Sequence, residues 1–144
     1  MGGIDDIRGK RIYLDANLFI YVVEKSAEHA LFLDALLGLL ETGEAAAVTS
    51  ELTLAEVLAK PLGQEREDIA AIYDEMVSPS GWLSMVPVER PILVAAARLR
   101  SALGLKLPDA IHVASAVAAG CHLFLSNDQR MRVPAGLELR PLVA

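Results

Sequence analysis

Residues 11–23 read RIYLDANLFIYVV, and their reading decides the fold. Arg11–Leu14 is short, apolar and β-prone, which predicts a strand ending at Asp15. Residues 17–23 follow at once as a short helix. Outward from there, blocks of two lengths alternate. Residues 29–41 carry Ala30, Leu33, Leu36, Leu37 and Leu40 at helical spacing, with Gly43 just beyond. Residues 46–48 form a short buried strand. Residues 52–59 form a helix stopped by Pro61, and residues 65–77 another. After the turn Pro79-Ser80-Gly81, residues 82–88 read as a strand. Helices are predicted over 91–103, stopped by Gly104, and over 109–119, stopped by Gly120. Residues 122–125 and 137–139 supply the last two strands. Strands that alternate with helices build a parallel sheet covered on both faces. Strands in such a sheet are nearly all apolar, as these are. The fold class is therefore α/β, and the 144 residues make one domain.

Composition narrows the function. With 53% apolar residues the chain can bury a core, which excludes disorder. Cys121 is alone, so a disulfide scaffold is excluded and a reducing cytoplasm expected. The start, MGGIDDIRGKR, lacks the apolar stretch of a signal peptide. The longest uncharged run, residues 110–127, is too short in its apolar part to span a bilayer; a buried helix and strand account for it. Thirteen Lys and Arg face 19 Asp and Glu, a net charge of −6. That balance excludes nucleic-acid binding by general positive charge, but not cutting of nucleic acid by metal ions held on acids.

In open α/β sheets, sites form beyond the carboxyl ends of the strands. Four acids stand there. Asp15 follows the first strand, Glu56 lies early in the helix after residues 46–48, Asp109 opens a helix, and Asp128 follows HLFL through Ser126-Asn127. Each has a plain structural role open to it. Asp15 can cap a helix, Thr53 and Glu56 fit a capping box, Asp109 offsets a helix dipole, and Asp128 suits a turn. Convergence argues for more. Two carboxylates about 4 Å apart at an effective dielectric of 20 repel by ~4 kcal/mol. A hard cation, Mg²⁺ or Mn²⁺, offsets that cost. Without these four, 13 basic residues would face 15 acids, a net charge of −2. Paired divalent ions activate water for phosphodiester hydrolysis and need no nucleophilic side chain. Cys121 and His122 are neighbours on a strand and face opposite ways, so they make no catalytic pair.

The segments YLDANLFIY, TSELTLAEVLAKP, LPDAIHVASAVAAG and HLFLSNDQRM, in this order, resemble the PIN domain, and more closely the VapC-type toxins of toxin–antitoxin systems. The resemblance covers residues 10–139. It implies a three-layer α/β/α fold with a short, mostly parallel sheet, and a Mg²⁺- or Mn²⁺-dependent endoribonuclease. It implies that Asp15, Glu56, Asp109 and Asp128 are the catalytic and metal-binding acids. Asn17, Ser126 and Asn127 would orient acids, water or phosphate. It implies a homodimer, silenced by a small antitoxin, and tRNA or rRNA as substrate class.

Arg98, Arg100, Lys106 and Arg130 are the candidates for RNA phosphate contacts, with Arg132 close by; a solvated helix face is the plainer role for the first three. His112, three residues after Asp109, reads first as a core or supporting histidine. A haloacid-dehalogenase-like phosphatase wants a second acid where Asn17 stands, and no P-loop is present. The alternatives left open are an RNA-processing nuclease that is no toxin, and a non-catalytic protein-binding module.

Overall fold

The computed structural model describes residues 4–142. After a single 3-10 turn at Ile4–Ile7 come β1 (Arg11–Leu14), α1 (Ala16–Val23), α2 (Ala30–Glu41), β2 (Ala46–Ser50), α3 (Glu51–Gly63) and α4 (Glu67–Met76). They are followed by β3 (Leu83–Val86), α5 (Arg90–Leu103), α6 (Leu107–Ala118), β4 (Leu123–Leu125) and β5 (Glu138–Arg140). The strands pair in the order β3-β2-β1-β4-β5, every pair parallel. The chain thus walks outward from β1 to β3, then crosses back to place β4 on the other side of β1. Right-handed crossovers put helices on opposite faces when the direction of travel reverses. Accordingly, α1 to α4 cover one face and α5 and α6 the other.

Alternation along the strands feeds both layers. Ile12, Leu14, Leu123 and Leu125 belong to the core under α1–α4. Tyr13, Val48 and Phe124 belong to the core under α5 and α6, where Tyr13 and Phe124 stack with ring centroids 4.8 Å apart. The segment Ala110–Ala116 is buried throughout, and its mostly small side chains let α6 press against both α5 and the sheet. The uncharged run 110–127 is a buried helix followed by a buried strand, as expected. Among the described residues no helix is long and apolar enough to cross a membrane.

Three of the boundaries that differ from expectation have a clear physical reason. Pro61 does not stop α3, which runs on to Gly63. Proline lacks the N–H that would bond the carbonyl four residues back, here that of Val57, and its ring crowds that carbonyl, a cost that the burial of the ring helps to offset. The carbonyl of Pro61 then accepts from Arg66 N at 2.8 Å. β3 ends at Val86, because Pro87 cannot donate to a ladder. β2 continues through Thr49 and Ser50, two polar residues with no solvent exposure. Thr49 pairs its hydroxyl with Leu14 O at 2.6 Å and with Thr53 Oγ1 at 2.7 Å, so its burial leaves nothing unpaired.

Candidate active site

Strand order reverses between β1 and β4, and the acids gather beyond the carboxyl ends of these two strands. Asp15 follows β1 and caps α1, accepting from Asn17 N at 3.1 Å. Burial pushes its carboxyl above the usual range, and the neighbouring His112 and the Ser126 hydroxyl act against that push. The capping role and the place at the site therefore coexist. Ser126 is almost wholly buried just after β4, and its oxygen accepts from Asp128 N at 3.1 Å. One hydroxyl thus holds the backbone of Asp128 and favours the charged form of Asp15.

Glu56 does not form a capping box. The cap of α3 is Ser50, whose Oγ accepts from Leu52 N at 3.0 Å, one turn earlier than Thr53. Glu56 is free to meet His112, whose Nε2 lies 2.6 Å from Glu56 Oε1. Asp109 sits in the first turn of α6, where the helix dipole favours an acid. Even so, burial raises its pKa, and the charges of Asp128 and Glu56 push the same way against His112 and Lys106. Asp128 is half exposed and shapes its own turn, accepting from Arg130 N at 3.2 Å, with the Arg130 guanidinium 3.6 Å away.

Asp109 and Asp128 open into one cavity of about 520 Å³, shared with Lys106, Arg130, Met131 and Arg132. Two acids and three cations around one open cleft suit a metal ion and a phosphodiester chain. Arg98 and Arg100 do not line it. Both are exposed on α5, and Arg100 donates from Nε to Leu105 O at 3.3 Å. Asn17 serves Asp15 through its backbone N–H. Asn127 points elsewhere: Oδ1 accepts from Leu142 N at 2.8 Å, and Nδ2 lies 3.4 Å from His29 Nε2. Successive residues of an extended segment face opposite ways, so Ser126 and Asn127 cannot both face the acids.

The donor chemistry fits a hard divalent ion. Carboxylate oxygens predominate, and repulsion among Glu56, Asp109 and Asp128 is the kind a cation relieves. The shell is not drawn tight: among the described residues no three His, Cys, Asp or Glu side chains are grouped closely enough to hold a metal. Ion binding therefore requires small side-chain movements. Tyr13 is the residue that the sequence reading missed. It stands two positions before Asp15 on the central strand, hence on the same side of the sheet. Its hydroxyl meets His112 Nδ1 at 2.5 Å.

Substitution at Asp15 separates its two roles. Asp15→Asn keeps the cap and removes a buried charge. A carboxyl raised by burial costs native stability once pH exceeds the unfolded value near about 4. Below that value the native and unfolded forms are both protonated and the cost vanishes. Melting in EDTA at neutral pH is therefore expected to be unchanged or higher for Asp15→Asn, with the gain fading in acid. Asp15→Ala should lose ~1 kcal/mol with the cap. A clear fall in Tm for the Asn variant at neutral pH would mean that the charge itself stabilises the apo fold.

A fully parallel sheet with helices on both faces, and acids near the point where its strand order reverses, defines the class of open α/β folds whose sites lie beyond the carboxyl ends of the strands. Within that class the assignment is specific. The PIN domain family profile matches residues 12–137, and the chain belongs to the PIN domain family. No curated protein sequence matches it. Solved structures share its fold. The chain resembles one in a complex of VapBC2 from Rickettsia felis bound to a promoter DNA fragment (18% identity, TM-score 0.67, covering 91% of this chain and 98% of that one). DNA-bound VapBC from Salmonella typhimurium gives 16% identity and a TM-score of 0.69, covering 92% and 98%. A toxin–antitoxin complex from Klebsiella pneumoniae gives 20% and 0.62, covering 88% and 94%.

Proposed function

We propose that this chain is a Mg²⁺- or Mn²⁺-dependent endoribonuclease, the toxin of a VapBC-type toxin–antitoxin pair, and by the same resemblance a cytoplasmic homodimer. The observation that carries the reading is the cleft in which Asp109 and Asp128 share space with Lys106, Arg130 and Arg132. Asp15, Glu56, Asp109 and Asp128 would hold the cation, which supplies an activated water and charge neutralisation at the phosphate. Ser126 keeps Asp15 and the Asp128 turn in register. Lys106, Arg130 and Arg132 attract and align the RNA backbone, tRNA or rRNA in class, without reading bases.

An antitoxin has a surface to use. A groove of about 250 Å³ between α1, α3 and α4 is lined by Ile20, Val23, Val57 and Tyr73, and it carries Glu24 and Glu56. An amphipathic partner segment with a basic side chain near Glu56 would fill it and block the acids. The structural neighbours are toxin–antitoxin complexes, which supports such a partner.

The test is cleavage of mixed tRNA and rRNA by antitoxin-free protein in Mg²⁺, Mn²⁺ or EDTA. Metal-dependent cutting, absent in EDTA, is expected. A second reading, a non-catalytic binding module, is favoured by the absence of a tight ligand group among the described residues. Well-folded protein that neither cuts RNA nor melts higher with Mn²⁺ would establish that second reading. Within the nuclease reading, Arg130→Ser with Arg132→Ser should raise KM several-fold and leave kcat near its original value. The salt dependence of RNA binding should then fall, by roughly 0.7 in the log–log slope per lost phosphate contact. An unchanged slope would remove the two arginines from the RNA path.

A further inference from the structure

We propose that His112 is a positioning residue for the acid cluster, fixing Glu56 through a buried Tyr13–His112–Glu56 chain; this rests on the metal-binding reading above. His112 is 4% exposed, and both ring nitrogens are engaged: Nδ1 with Tyr13 Oη at 2.5 Å and Nε2 with Glu56 Oε1 at 2.6 Å. The carboxylate can only accept, so Nε2–H donates to Glu56. In the neutral imidazole Nδ1 then accepts from the Tyr13 hydroxyl, and in the cation it donates to that oxygen. Tyr13 is fully buried against Phe124, and its ring meets the imidazole edge-on. The imidazole is thus held in one orientation, with Nε2–H on Glu56.

The chain joins the elements that carry three of the acids. Tyr13 lies on β1 two residues before Asp15, His112 lies on α6 one turn after Asp109, and Glu56 projects from α3. A histidine buried only to fill the core needs no contact with a carboxylate that keeps about a third of its side chain in solvent. Here that contact sets the direction of Glu56. Such outer-shell partners orient ligands, and their loss weakens metal binding by roughly 10- to 100-fold.

The experiment measures Mn²⁺ affinity by calorimetry, and RNA cleavage alongside, for the full chain and three variants. His112→Leu removes both hydrogen bonds and should weaken Mn²⁺ binding by roughly 10- to 100-fold. His112→Gln presents an amide N–H to Glu56 and should recover most of that loss. Tyr13→Phe frees the imidazole to change tautomer and should cost a smaller factor; it takes the place of His112→Leu if that variant does not fold. Imidazole ¹⁵N shifts of the unsubstituted protein without metal should show the proton on Nε2. Original affinity in His112→Leu, or in Tyr13→Phe where that stands in, overturns the proposal. So does an Nε2 that carries no proton. Original protein that binds Mn²⁺ but cuts no RNA defeats the nuclease reading alone, and the affinities still decide the role of His112. Original protein that binds no Mn²⁺ defeats both.

Discussion

Asp109→Asn is expected to lower metal-dependent RNA cleavage by two orders of magnitude or more, in kcat rather than KM. Asp109 lines the cleft with Asp128, and the charges of Asp128 and Glu56 already bear on it. Removing a preorganised charge-stabilising group at a reaction centre costs on the order of 10²- to 10³-fold. The fold should hardly notice. The acid's favourable place at the start of α6 is worth about 0.3–1 kcal/mol, and relief of burial and like-charge repulsion opposes that loss. Cleavage measured beside melting in EDTA checks both halves. Cleavage by the Asn variant within tenfold of the original would take Asp109 out of the centre.

The second large effect is thermal. Mn²⁺ at about 100 times its Kd should stabilise the native state by ~2.7 kcal/mol. For a chain near this size that amounts to roughly 5–10 °C in Tm. The shift needs no substrate, so it reads the acids independently of any RNA. Asp109→Asn should abolish most of it. Ca²⁺ should give less, since a larger ion prefers more ligands than these acids offer. No shift at millimolar Mn²⁺ would show that the acids serve only as caps and turns.

Much of this molecule can be read from its residues, for identifiable reasons. Strands buried on both faces are short apolar runs, and RIYL and HLFL stand out as such. Acids just past strand ends mark the edge where sites form, which singled out Asp15 and Asp128, and an acid opening a helix drew attention to Asp109. What escaped was set by contacts distant in sequence. Tyr13 and His112 meet across 99 residues, and no local spacing links them. Thr49 and Ser50 look like loop residues until Leu14 O and Thr53 supply partners for the first and Leu52 N for the second. Pro61 looks like a stop until its burial beside the groove between α1, α3 and α4 is known. Asn127 looks like a site residue because it adjoins two, yet the pleat turns it toward Leu142.

The pairing of Ile12 with Leu123 across the sheet has a consequence for the time at which the protein becomes active. A ribosome makes β1 long before β4. Until β4 and the turn after it have cleared the exit tunnel, neither Ser126 nor Asp128 can take its place near Asp15. Distant parallel pairing is also slow to close. Under the nuclease reading proposed above, a nascent chain that lacks β4 would have no assembled acid cluster, so activity would wait until the sheet has closed.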